Sequence, residues 1–158
     1  MPGTFVWDVR PKAVRLLLVG FAVFLAACGQ GAQSHGGPVQ DQVSLIDALR
    51  GKNLIVDISG TVSQPFLNPQ SGTAVRLSGG SLTAPADLQL FEYASPTAAS
   101  ADARRISPDG SGTQTTRISW IAPPHFFLRG RVLALYVGKD PAALNVLKSL
   151  LRPQVAGS

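Results

Sequence analysis

A single cysteine, Cys28, closes an uncharged run of twelve residues from Leu16 to Ala27, and these two facts constrain the chain more than any others. One thiol excludes an internal disulfide and any cysteine-cluster metal site, so whatever folds must hold together through its core. The run follows Arg10-Pro11-Lys12-Ala13-Val14-Arg15, a positively charged stretch. It is too short to cross a bilayer as a helix, which takes about 20 apolar residues. It does suit the apolar region of a signal peptide. The folded part is therefore expected well after residue 27. The rest of the 158-residue chain has room for one domain.

The segment Leu25-Ala26-Ala27-Cys28 resembles the lipobox of bacterial lipoproteins: an aliphatic residue, two small residues, then cysteine. The resemblance implies a diacylglyceryl thioether on Cys28, cleavage after Ala27, and acylation of the new amine by a fatty acid such as palmitate. Small residues at 26 and 27 let an extended backbone enter a peptidase site. Two or three acyl chains give a durable anchor at ~0.8 kcal/mol per buried methylene. The membrane is then the first partner. The expected address is outside the cytoplasm, on the outer face of the cell membrane or on an outer membrane.

This reading divides the chain into a leader (1–27), a lipid-anchored tether (28–42) and a globular domain (43–158). The tether is rich in Gly, Gln and Ser and has no apolar period, as flexible spacers do. His35 lies in it with no second ligand nearby, and reads as part of a polar spacer.

In the domain, Ser44 is the expected cap of a first helix, with Asp47 as its partner and Gly51 at its end. Leu54–Ile58, Ala74–Leu77 and Leu88–Tyr93 read as strands, the first stopped by Gly60. Ser95-Pro96 opens a second helix whose apolar face carries Ala99, Ala103 and Ile106. Thr116, Ile118 and Trp120 alternate with Arg117 and Ser119 as in a half-buried strand. His125–Leu128 and Arg131–Val137 form a hairpin turning at Arg129-Gly130. Asp140-Pro141 starts a last helix with Leu144, Leu147 and Leu151 in a stripe, ended by Pro153. The pattern predicts an α+β fold: five to six mainly antiparallel strands with about three helices packed on one face of the sheet.

Several stretches resemble an uncharacterised family of small bacterial lipoproteins. They are Phe91-Glu92-Tyr93, Ile106-Ser107-Pro108-Asp109-Gly110, Trp120-Ile121-Ala122-Pro123-Pro124-His125-Phe126-Phe127, Leu135-Tyr136-Val137-Gly138 and the ending Arg152-Pro153-Gln154-Val155-Ala156-Gly157. The likeness runs from about Ser44 onward. It implies fold and address and carries over no catalytic residue.

The residues themselves supply little chemistry. No Gly-x-Ser-x-Gly occurs, and the domain has one histidine, His125, and one glutamate, Glu92. The aspartates 47, 109 and 140 sit at expected caps and turns. Gly110-Ser111-Gly112 leads into threonines rather than a helix, so it is no phosphate cradle. No metal-ligand spacing is present, and no cofactor is expected. Without the leader's Arg10, Lys12, Arg15 and Asp8 the formal net charge falls from +5 to +3. The remaining basic residues are scattered, which argues against nucleic acid.

One constellation can be weighed for binding: Trp120, His125, Phe126 and Phe127, with Tyr136 on the neighbouring strand and Phe66 in a two-proline loop. Core packing explains them with Phe126 and Phe127 on opposite sheet faces. A groove for an apolar ligand, a glycan or a peptide would use the same rings. Core packing is the favoured reading. The expected function is a non-enzymatic binding or interaction module with an envelope protein as partner. The alternative is a carrier or sensor of a small apolar ligand in a sheet–helix pocket.

Overall fold

A computed structural model describes Gly3, residues 37–69 and residues 71–158. The expected leader, Cys28 and most of the expected tether lie outside the described residues.

The described chain forms α1 (Gln42–Arg50), β1 (Leu54–Val62), β2 (Gly72–Gly79), β3 (Ala86–Glu92), α2 (Pro96–Ala103), β4 (Pro124–Arg129), β5 (Val132–Val137), α3 (Pro141–Leu150) and β6 (Gln154–Gly157). The strands make one open sheet in the order β1-β2-β3-β5-β4-β6, with every neighbouring pair antiparallel. This is the expected α+β class. Among the described residues no helix is long and apolar enough to cross a membrane.

The fold begins earlier than Val43. Val39 is buried, and the Gln40 carbonyl accepts from the Arg131 backbone N–H at 2.7 Å. Asp41, not Ser44, caps α1. Its carboxylate accepts from the Ser44 N–H, while the Ser44 hydroxyl accepts from the Asp41 N–H, so Ser44 closes the capping box from the third helical position. Ser95 and Asp140 cap α2 and α3 as expected, each followed by proline at the first helical position.

The helices do not share one face of the sheet. α1 and α3 cover one side, where Leu45, Leu49, Leu147 and Leu151 pack over Val75, Leu88, Leu90, Ala134 and Phe127. On the other side lie α2 and the long loops, with Ala99, Ala103, Phe66, Leu67 and Ile106 over Phe91, Phe126, Leu133 and Leu135. That is why β5, Val-Leu-Ala-Leu-Tyr-Val, is apolar at every position: a strand covered on both faces loses its alternation.

Three strand expectations change. β1 runs through Gly60 to Val62, because the register shift between Ile58 and Gly60 absorbs one extra residue as a bulge. Residues 116–120 are not a strand. Only an isolated bridge joins Gly112 to Arg117, although Ile118 and Trp120 do pack against the α2-side core. Their alternation therefore reports burial of a loop, without a ladder. β6 was not expected, and it pairs with β4 as an edge.

The β4–β5 hairpin turns through Gly130-Arg131, with Arg129 opposite Val132. Gly130 takes φ +55°, and a Cβ there would lie 2.2 Å from the Gln40 carbonyl oxygen. Both the turn and the close approach of the entering chain require glycine.

Candidate functional site

The sheet separates the six expected binding residues into two groups of three. Phe66, Trp120 and Phe126 meet on the α2 side in edge-to-face contacts, with ring centroids 6.1–6.4 Å apart. Phe127, His125 and Tyr136 belong to the other side: Phe127 is fully buried in the α1/α3 core, and His125 stacks on Tyr136 at 6.0 Å. Phe126 and Phe127 thus fall on opposite faces as packing requires, and neither ring is exposed. The six do not form one groove.

Trp120 is half-buried and anchored, its indole N–H donating to the Gly110 carbonyl at 2.8 Å. The bond closes the 107–123 loop over Phe66 and Phe126. Gly110 takes φ +72° there, where a Cβ would meet Pro124 at 2.8 Å.

His125 is buried between β5 and β6. Its Nε2 lies 2.9 Å from the Gly138 carbonyl, which can only accept, so Nε2 carries the proton. Nδ1 then faces the Gln154 amide nitrogen at 3.4 Å. Burial pushes the His125 pKa below its usual 6.5, opposed by the bond to Gly138. The ring is a neutral structural bridge from β4 to the residues on either side. Neither of its nitrogens meets a serine or a carboxylate.

A polar centre that the sequence reading passed over is Asp102. Its side chain is fully buried on α2, and its carboxylate accepts four bonds: from Tyr93 Oη (2.7 Å), the Asn68 N–H (2.7 Å), Asn68 Nδ2 (2.9 Å) and Arg105 (2.7 Å). Burial, then the bond and charge of Asp102, push the Tyr93 phenol far above its usual range, so it stays a donor. The signal was available: Asp102 falls on the same helical stripe as Ala99, Ala103 and Ile106, where a carboxylate needs partners. Asn68 ties the two-proline loop to α2 through it.

Among the described residues, no group of three or more His, Cys, Asp and Glu is arranged to hold a metal. A cleft of about 390 Å³ lies on the α2 side of the sheet, lined by Ser59, Ala74, Arg76, Gln89, Leu135 and Val137 among others. Ile121 stands at it, fully exposed on the loop after Trp120. On this side α2 covers the sheet's β4–β5 half, leaving Ile55, Asp57 and Arg76 of β1 and β2 exposed. A scan against protein-family models and searches of curated proteins and solved structures give no match.

Proposed function

We propose that the protein is an exported lipoprotein, held at a membrane surface by acyl chains on Cys28, whose globular part is a non-enzymatic binding or interaction module. The observation that carries the anchor is Leu25-Ala26-Ala27-Cys28 at the end of an uncharged run behind a basic stretch. Clickable fatty acid should label the parent in cells, and Cys28→Ser should lose both the label and membrane pelleting. Equal labelling of the two would end the reading.

The binding module is supported by the half-covered α2 side of the sheet. Its cleft has an apolar floor of Leu135 and Val137, polar walls and an exposed Ile121, which suits an extended segment of an envelope protein. A photocrosslinking residue at 121 should give one discrete adduct in cells, absent from the same residue placed at Lys148. Identical patterns from both positions would remove the cleft from consideration. The non-enzymatic reading is supported by His125, whose nitrogens engage Gly138 and Gln154.

The carrier alternative called for an enclosed pocket lined by Trp120 and Phe126. Those rings pack against Phe66 and each other, which favours the interaction module.

A further inference from the structure

A different part of the α2 side carries a second binding feature. Two clefts, each of about 310 Å³, share Arg104 at the end of α2. One is polar, lined by Arg104, Arg105, Thr113, Gln114 and Thr115. The other is bounded by Ser100 and Ala103 of α2, Leu128 of β4 and Val155 of β6. Arg104 is thus a common wall between a cationic cleft with two threonines and one in which Ala103, Leu128 and Val155 supply apolar lining beside Ser100.

The charge balance is specific. Arg105 is committed, donating to Asp102 and Asn68. Arg104 is exposed and makes no ion pair among the described residues. The pair of guanidiniums against one buried carboxylate leaves a net positive charge at the junction of the clefts. A cation at a helix C-terminus is favourable in itself. Beside Arg104, Leu128 and Val155 are half-buried: each packs on the α2-side core and also lines the cleft.

We propose that this double cleft binds a single-chain amphiphile with an anionic head, a carboxylate or a phosphate monoester. Arg104 takes the head, since a planar guanidinium matches either anion with two parallel bonds. Thr113 and Thr115, whose hydroxyls lie 3.4 Å from each other, line the same cleft. The first methylenes lie over Ala103, Leu128 and Val155. Each cleft is at the small end of ligand-sized sites, so only the head and a short stretch of chain are held. The site is independent of any lipid on Cys28.

The test uses the full chain in phosphatidylcholine nanodiscs, with octanoate, octyl phosphate and octanol followed by saturation-transfer NMR against empty nanodiscs. Octanoate or octyl phosphate should bind at least tenfold more tightly than octanol, and the stronger of the two identifies the head group. Arg104→Gln should weaken the anion at least tenfold and leave octanol unchanged. Leu128→Ser should weaken all three. Urea midpoints keep loss of binding apart from loss of fold, and the exposed Arg104 serves as the variant that leaves the fold intact. Equal affinity for octanol and the anions, no binding of any of them, or an unaltered affinity in Arg104→Gln would each overturn the proposal. Cys28→Ser should bind like the parent, which keeps this result separate from that of the anchor.

Discussion

Asp102 shows what one buried carboxylate does when every lone pair is used. Removing it strands a Tyr93 hydroxyl and an Asn68 N–H beneath α2, each a desolvated donor worth about 1–3 kcal/mol. Asp102→Ala should therefore lower stability by about 3 kcal/mol in urea denaturation, whereas the exposed Ile121→Ser should stay within about 0.5 kcal/mol of the parent. His125 contributes a pH dependence. Its pKa is lower folded than unfolded, so below the ordinary value of 6.5 the unfolded chain binds the proton more readily. Stability from this group is complete above pH ~6.5 and drains as pH falls toward the folded value. A pH series of urea midpoints should show that decline in the parent and lose part of it in His125→Gln. At this scale the sequence placed apolar side chains on their faces and polar ones at local caps, but did not join buried polar partners distant in the chain. Phe126 and Phe127 were placed on opposite faces by alternation alone, but the partners of Asp102 come from the residue after β3, the turn after α2 and the two-proline loop, which no local pattern joins.

At the scale of elements, local chemistry located the helices, and a two-way capping pattern shifted one end. Pro96 and Pro141 marked two helix starts because the first helical position needs no N–H. α1 begins two residues ahead of its expected cap because Asp41 and Ser44 bond each other reciprocally, a pattern that reads equally well with Ser44 as the cap. Asp41→Ala should cost about 1 kcal/mol, measured by thermal or urea unfolding. On α3, Leu147 packs fully into the α1-side core, and Leu147→Ala should cost about 2–5 kcal/mol by the same measurement. The misread 116–120 segment and the missed β6 have opposite causes. The first alternates because Ile118 and Trp120 cover the core from a loop. The second is four residues between Pro153 and the chain end, too short to show a period, and is defined by its bonds to β4.

For the whole molecule, the sheet is dressed unevenly. Its β3-β5-β4 centre is covered on both sides, while β1 and β2 bury Leu54, Val56, Val75 and Leu77 on the α1/α3 side and reach the α2-side core at Val62. The proposed binding regions follow that division: the cleft at Ile121 and the pair of clefts at Arg104 lie on the α2 side, where helix cover is partial. The same division ranks the backbone by how readily it yields to solvent. Deuterium should enter the outer rungs of β1 around its bulge first, and the amides of β5 last, near the limit set by global unfolding. The β1 margin, an edge of the described sheet, already carries the exposed Ile55 and Ile58 side chains, an invitation to intermolecular pairing. The bulge between Ile58 and Gly60 interrupts that margin midway, so a neighbouring chain finds no long straight rail on which to align.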